Sequence, residues 1–353
     1  MEQEHKRRVR YKGTHPRNFR EKYKELNPEK YQADVEKIIQ SGKTPAGTHI
    51  PIMVNEILEV LDIQPGQVGY DATLGYGGHT RKMLEKLEGK GHLYATDVDP
   101  IESEKTRTRL EAAGYGADIL TIRRMNFAQI DQVAPGVKFD FVLADLGVSS
   151  MQIDDPERGF TFKYDGPLDL RLDPTSGVSA AERLRELDEE ELAAMLVENA
   201  DEPYAGRIAK AVMRVYQRGG SVDTTKQLAA IIEGAVSFLP PAERKETVKK
   251  SCQRTFQALR IDVNSEFEVL YAFLDKLPTV LKPCGRAAIL TFHSGEDRLV
   301  KKAFKQHLRE GVYSEISEDV TRPSAEECFR NPRAKSTKLR WAVRAKGGRY
   351  AER

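Results

Sequence analysis

The spacing of apolar residues divides the chain into segments of different period. From Thr48 onward, short apolar runs alternate with amphipathic stretches. Residues 51–61 place Ile52, Ile57, Leu58 and Leu61 on one helical face, and residues 68–72 form a short apolar strand. A glycine loop and a helix over 80–87 follow. Next come a strand over 92–96 ending at Asp97, a helix over 102–113 and a strand near 119–122. A continuous apolar strand over 139–144 then ends at Asp145. Strands and helices alternating at these lengths predict an α/β fold with a parallel, doubly wound sheet.

From residue 179 to about 263 the period is helical throughout, with helices predicted over 180–199, 204–218, 225–238 and from 241 onward. An all-helical insertion within the α/β domain is expected. The sheet resumes at 286–292, and a helix follows Ser294. Over 337–344, Leu339, Trp341 and Val343 alternate with Lys338, Arg340 and Ala342, which predicts a half-buried edge strand. Residues 1–46 are polar and broken by Gly13, Pro16, Pro28 and Gly42, with one short helix near 31–40. The expected organisation is a basic N-terminal arm (1–46), a discontinuous α/β domain (47–160 and 264–353) and a mainly helical insertion (161–263) that recognises substrate.

The 353 residues suffice for a full α/β domain and one smaller body. Hydrophobic content of 39% with 31% charged residues suits a water-soluble chain. No apolar run reaches membrane-spanning length, and the N-terminus lacks a secretory pattern, so a cytoplasmic location without membrane contact is expected. Cys252, Cys284 and Cys328 are widely spaced and form neither a metal motif nor a disulfide framework. The charge is uneven: +5 over residues 1–46 and +8 over 330–353 leave −11 for the remainder of a chain whose total is +2. Basic ends on an acidic body suit contact with a polyanion such as nucleic acid, and equally suit solvated termini.

The candidate chemistry begins at Asp71-Ala-Thr-Leu-Gly-Tyr-Gly-Gly-His79. Gly75, Gly77 and Gly78 allow a tight turn and close approach to a ligand. Asp97, at the end of the next strand, can accept both ribose hydroxyls of a nucleoside cofactor. Asp71 would repel a pyrophosphate but suits the ammonium and sulfonium groups of S-adenosylmethionine, which favours that cofactor over NAD. A second constellation, Asp145-Leu-Gly-Val-Ser-Ser-Met-Gln152, follows an apolar strand where open α/β sheets bind ligands. A long polar segment then carries Asp155-Pro-Glu-Arg-Gly-Phe160 and Asp165-Gly-Pro-Leu-Asp-Leu-Arg171, more typical of a functional loop than of a connector.

These blocks resemble the MraW/RsmH family. So do Asp97-Val-Asp-Pro100, Arg254-Thr-Phe-Gln-Ala-Leu-Arg-Ile261, Phe292-His-Ser294, Glu296-Asp-Arg298 and Asn331-Pro-Arg333, in family order across residues 48–345. The resemblance implies a Rossmann-like class I methyltransferase sheet with an inserted helical domain. It also implies methylation at N4 of a cytosine in the decoding region of 16S ribosomal RNA, cytosine 1402. Cofactor contacts carried over from the family fall on Gly77, Gly78, His79, Asp97, Phe127, Asp145 and Gln152. Thr291 and Gly295, the segment Lys249-Lys-Ser-Cys-Gln253, Asp201-Glu-Pro203 and the additional residues 1–46 depart from the family pattern. These departures suggest a divergent branch or paralogue.

Cytosine's exocyclic nitrogen is a poor nucleophile, because its lone pair is delocalised into the ring. Its methylation needs a hydrogen-bond acceptor and in-line positioning. Asp145 is the candidate acceptor, unless it serves only the cofactor, with Ser149, Ser150 and His293 as further catalytic candidates. His293 could instead only orient the capping-box turn Ser294-Gly-Glu-Asp297. The target base must leave its stack, and Phe160 and Phe162 could receive it or anchor the loop. Arg158, Arg171, Arg254, Arg260 and Arg333 are candidate phosphate contacts, although a salt bridge would explain each one. No metal is expected. Attack by a cysteine at carbon 5 is excluded, since Cys284 precedes its strand and Cys252 lies in a helix without a base. Ribosomal RNA or the small subunit is the expected partner, and a homodimer is allowed. Methylation of another RNA cytosine, a nicotinamide-dependent oxidoreductase and an inactive RNA-binding protein are the alternatives. Calorimetry with S-adenosylmethionine against NAD separates the first reading from the oxidoreductase.

Overall fold

A computed structural model describes residues 51–347. The basic arm and its short helix lie outside the described residues. Helix α1 (Val54–Leu61) leads into β1 (Val68–Asp71), α2 (Gly78–Leu87), β2 (His92–Asp97), α3 (Pro100–Ala112), β3 (Leu120–Arg124), α4 (Ile130–Val133) and β4 (Phe139–Asp145). The short helix α5 (Ser150–Asp154) opens the polar segment. Helices α6 (Ala180–Glu186), α7 (Glu189–Ala200), α8 (Ala205–Gln217), α9 (Thr225–Ala235) and α10 (Pro241–Val263) form the insertion. Helix α11 (Glu266–Val280), β5 (Leu281–Thr291), α12 (Ser294–Arg309), β6 (Tyr313–Ile316), α13 (Ala325–Arg330) and β7 (Lys338–Arg344) complete the chain.

The seven strands lie in the order β3-β2-β1-β4-β5-β7-β6. The first five are parallel, and β7 runs antiparallel to both of its neighbours. Strand periodicity sends Phe141 and Leu143 of β4 into one core, with Ile57, Leu61, Leu84, Leu87 and Leu110 from α1, α2 and α3. Val142 and Ala144 face the other core, with Ile130, Phe273, Leu277, Val300 and Phe304 from α4, α11 and α12. The sheet is therefore covered on both faces, as the doubly wound reading requires. A third core, built wholly from residues between Leu168 and Leu259, fills the helical insertion.

Two expectations are corrected. The helix expected over 180–199 is two helices: Leu187 is extended, and Asp188 caps α7 through a capping box with Glu191. β7 is not an edge strand, because β6, which lacks an apolar run, pairs along its outer side. Its two arginines are buried and satisfied: Arg340 Nε donates to Asp297 Oδ1 at 2.6 Å, and Arg344 Nη1 donates to the carbonyls of Pro278 and Leu281. Between α10 and β5, α11 packs Leu270, Phe273 and Leu277 into the sheet's core and leaves Tyr271 exposed.

Candidate functional site

The carboxyl ends of β1, β2 and β4 converge on the glycine loop. Gly75 and Gly77 take φ values of +45° and +78°, which disfavour any side chain. A Cβ on Gly77 would also stand 2.7 Å from Thr106 Cγ2. Helix α3 clamps the loop from outside: Thr106 Oγ1 donates to the Gly75 carbonyl at 2.6 Å, and Arg109 donates to that of Tyr76 at 3.2 Å. The Arg109 guanidinium also lies 3.6 Å from the Tyr76 ring centroid. Asp97 closes β2. Its Oδ2 accepts the Gly75 N–H at 2.7 Å and its Oδ1 accepts that of Asp99 at 2.9 Å. Each oxygen keeps lone-pair capacity for a ribose hydroxyl. Burial pushes the Asp97 pKa up to about 6, against the pull of these two bonds.

Asp71 is buried at the end of β1, and both its oxygens are engaged. Thr80 Oγ1 donates to Oδ2 at 2.7 Å and the Thr73 N–H to Oδ1 at 3.1 Å. Burial raises its pKa, opposed by the Thr80 hydroxyl and by His79. Asp71 thus contributes charge and loop geometry more than a free ligand atom. His79, in the first turn of α2, bridges the Ile52 carbonyl at 2.9 Å and Asp145 Oδ2 at 3.4 Å. The Asp145 N–H donates to Thr73 Oγ1 at 2.7 Å. Its second carboxylate oxygen, Oδ1, is buried and has no partner among the described residues. An unsatisfied buried acceptor is costly unless a ligand meets it.

Phe127 follows Asn126, whose side chain accepts the Ala128 N–H at 2.9 Å. The Phe127 ring meets Phe273 edge to face, with centroids 5.3 Å apart. Gln152 is committed within the protein: Oε1 accepts the Ser149 N–H at 2.8 Å, and Nε2 donates to Asp99 Oδ2 at 2.9 Å. The Ser149 hydroxyl accepts the Gln152 N–H and completes the capping box of α5, which leaves its own O–H to donate. Ser150 is the first residue of α5. The capping box of α12 is shifted by one residue from the expected one: His293, not Ser294, is the cap, with Glu296 as its partner. His293 Nε2 lies 3.2 Å from Glu296 Oε1. Glu266, His293 and Glu296 could together hold a cation, but Arg260 already takes Glu266 with two bonds, at 2.7 and 2.9 Å.

Most of the candidate phosphate contacts are spent inside the chain. Arg158 is buried, donating to Asp99 Oδ2 at 2.7 Å and to the carbonyls of Arg171 and Leu172, which corrects its reading as an RNA contact. Arg171 chelates Asp169 at 2.9 and 2.7 Å, Arg260 holds Glu266, and Arg333 meets Asp154 at 2.8 Å. Arg254 on α10 is half-buried and engages no carboxylate among the described residues. Phe160 and Phe162 both pack against the insertion's core, Phe162 within 5.5 Å of Phe256, so both anchor the loop. Sequence reasoning missed Asp99. It is fully buried, caps α3 through Oδ1, and with Oδ2 ties the cofactor side to the Gln152–Arg158 segment. An Asp immediately before the proline that opens a helix was its signal.

The donor set suits a cationic nucleoside ligand. Three carboxylates (Asp71, Asp97 and Asp145) surround a glycine turn that offers no lysine to a phosphate. The model of the MraW methylase family matches residues 46–345. The ribosomal RNA small subunit methyltransferase H 1 of Agathobacter rectalis is 65% identical over 345 residues, covering 98% of this chain and 99% of that protein. The methyltransferase H 2 of Alkaliphilus metalliredigens is 61% identical, with 98% and 99% covered. The methyltransferase H of Thioalkalivibrio sulfidiphilus is 39% identical and covers 86% of this chain and 99% of its own length. A SAM-dependent O-methyltransferase structure from Thermotoga maritima is 11% identical, covers 88% of this chain and 71% of its own, and has a TM-score of 0.39. The fold class rests on the sheet order, not on that overlay.

Proposed function

Because this chain belongs to the MraW methylase family, we propose that it methylates N4 of a cytosine in small-subunit ribosomal RNA, with the decoding-region cytosine as its target. It is an S-adenosyl-L-methionine-dependent methyltransferase of ribosomal RNA, built on the Rossmann-like sheet of class I methyltransferases. The observation that carries the N4 reading is the buried, unpartnered Oδ1 of Asp145. A carboxylate oxygen that accepts no N–H or O–H among the described residues, at the carboxyl end of the strand beside the glycine turn, suits an amine that must be drawn out of conjugation.

S-adenosylmethionine, when bound, supplies an electrophilic methyl group on a positively charged sulfur. In this reading Asp97 takes the ribose hydroxyls, and the backbone of Gly75, Gly77 and Gly78 gives room for close approach. Asp71 balances positive charge, and Phe127 lies against the base of the cofactor. Asp145 Oδ1 accepts an N–H of the cytosine amine and takes its proton as the nitrogen gains a substituent. Its position excludes water, which strengthens that contact. His293 stands three residues past Leu290, the β5 partner of Asp145, and borders the base from that side. The helical insertion (161–263) holds the RNA, with Arg254 as a phosphate contact.

The test is transfer of labelled methyl groups to small-subunit particles lacking the modification, followed by nucleotide mapping. The expected result is label at N4 of one cytosine, abolished by Asp145→Ala while S-adenosylhomocysteine still binds. Label on carbon 5, on another base or on ribosomal protein refutes the reading.

A further inference from the structure

The tautomer of His79 follows from its neighbours. Nε2 lies 2.9 Å from the Ile52 carbonyl oxygen, and a carbonyl can only accept, so Nε2 carries a hydrogen. Nδ1 faces Asp145 Oδ2 at 3.4 Å. A neutral ring protonated at Nε2 would direct the bare lone pair of Nδ1 at a carboxylate oxygen. The His79 side chain is only 9% exposed, which leaves little room for a water to separate the two. A second proton in the Nδ1–Oδ2 contact removes that conflict.

The charges around the ring favour this state. Asp145 at the end of β4 and Asp71 at the end of β1 both face it, while the α1 side offers only the Ile52 carbonyl. Burial alone would lower the imidazole pKa, but Asp145, the Ile52 carbonyl and Asp71 together hold it above the ordinary value. The carboxylate of Asp145 is thereby anchored at Oδ2, and its backbone N–H is anchored on Thr73. Only Oδ1 is left open.

We propose that His79 is a positioning residue: its imidazolium holds Asp145 Oδ2 and so presents Oδ1 alone to the acceptor amine. This rests on the reading of Asp145 as the amine's acceptor. The function extends the role of His79 beyond lining the cofactor loop, since the same ring sets the direction of the carboxylate across the site.

Two variants and one spectrum test the proposal. An asparagine amide nitrogen falls near the position of the ring's Nδ1, and that of glutamine near Nε2. His79→Asn therefore keeps a donor to Asp145 without a titrating proton, whereas His79→Gln keeps only the Ile52 contact. His79→Gln should lose roughly 10- to 100-fold in kcat at saturating S-adenosylmethionine. His79→Asn should recover most of that loss. Independently, 15N spectra of histidine-labelled protein, with neither RNA nor cofactor, should show both ring nitrogens of His79 protonated at pH 7. In Asp145→Asn the ring should revert to the neutral Nε2–H form. A bare Nδ1 in the wild-type ring overturns the proposal, as does His79→Asn being no better than His79→Gln in protein that still binds S-adenosylhomocysteine. If wild-type enzyme methylates no small-subunit RNA, the substrate reading fails, and the spectrum still decides where the proton sits.

Discussion

Replacing Asp99 with alanine removes the bond from Gln152 Nε2 to Oδ2 at 2.9 Å, worth about 1 kcal/mol, and two further interactions of different size. The first is the cap of α3, in which Oδ1 accepts the N–H groups of Ile101 and Glu102 at 2.9 and 3.2 Å. Its loss costs about 1 kcal/mol. The second is the buried pair with Arg158, at 2.7 Å, between side chains that are 0% and 9% exposed. Removing one partner strands a buried guanidinium, which costs roughly 3–5 kcal/mol. Two carbonyls remain to Arg158, at 3.2 and 2.9 Å, and they keep the penalty near the lower end of that range. The expected loss is therefore about 5 kcal/mol, a large part of the roughly 5–15 kcal/mol that holds a domain folded. Urea denaturation measures it. The double variant Asp99→Ala with Arg158→Met should regain at least about 2 kcal/mol over Asp99→Ala alone, because no charge is then left unpaired. A single-variant loss below about 1 kcal/mol, or a double variant no more stable than the single, refutes the reasoning.

Three further outcomes are expected. Asp97, with its pKa pushed up to about 6, binds a proton in the folded state at pH values where the unfolded chain has released it. Its contribution to the stability of ligand-free protein therefore falls as pH rises from about 4 to 6. Binding of S-adenosylhomocysteine needs the ionised form, so calorimetry should show affinity falling up to about tenfold per pH unit below pH 6, and Asp97→Asn should bind weakly without that limb. Gly77→Ala should cost about 1–3 kcal/mol in denaturation, because its φ is +78° and its Cβ would meet Thr106 at 2.7 Å; it should also weaken S-adenosylhomocysteine binding. Arg254→Ala should weaken RNA binding and reduce the salt slope by about 1, with no effect on S-adenosylhomocysteine affinity; an unchanged slope would remove Arg254 from the interface.

The centre of the sheet was legible because β1, β2 and β4 are short apolar runs closed by Asp71, Asp97 and Asp145. The helical insertion was equally plain from its period, but the break at Leu187 was not, since only two extended residues, Leu187 and Asp188, interrupt an otherwise helical pattern. β6 was hidden because only Tyr313 of its four residues is fully buried. Without β6, the alternation in β7 read as an edge. At the site, the glycine turn and the acids were legible from local spacing. The fate of Arg158 and Arg333 was not, because each found its carboxylate through chain folding. Arg158 meets Asp99 across 59 positions, and Arg333 meets Asp154 across 179. Charge alone cannot distinguish a phosphate contact from such a pair.

The helical insertion bears on how the protein reaches this state. Asp145 pairs with Leu290, so joining β4 to β5 closes a loop of well over a hundred residues. The third core is continuous in sequence, and its two ends already meet: the Asn264 side chain bonds the Leu170 carbonyl and the Leu172 N–H. If this body condenses first, the loop left to close is only about a third as long, which lowers the entropic barrier by about 1 kcal/mol. The insertion then acts as a folding clamp. Native-state hydrogen exchange should find α7, α8 and α10 protected as a unit separate from the sheet, and core substitutions there, such as Leu196→Ala, should slow refolding of β4 against β5.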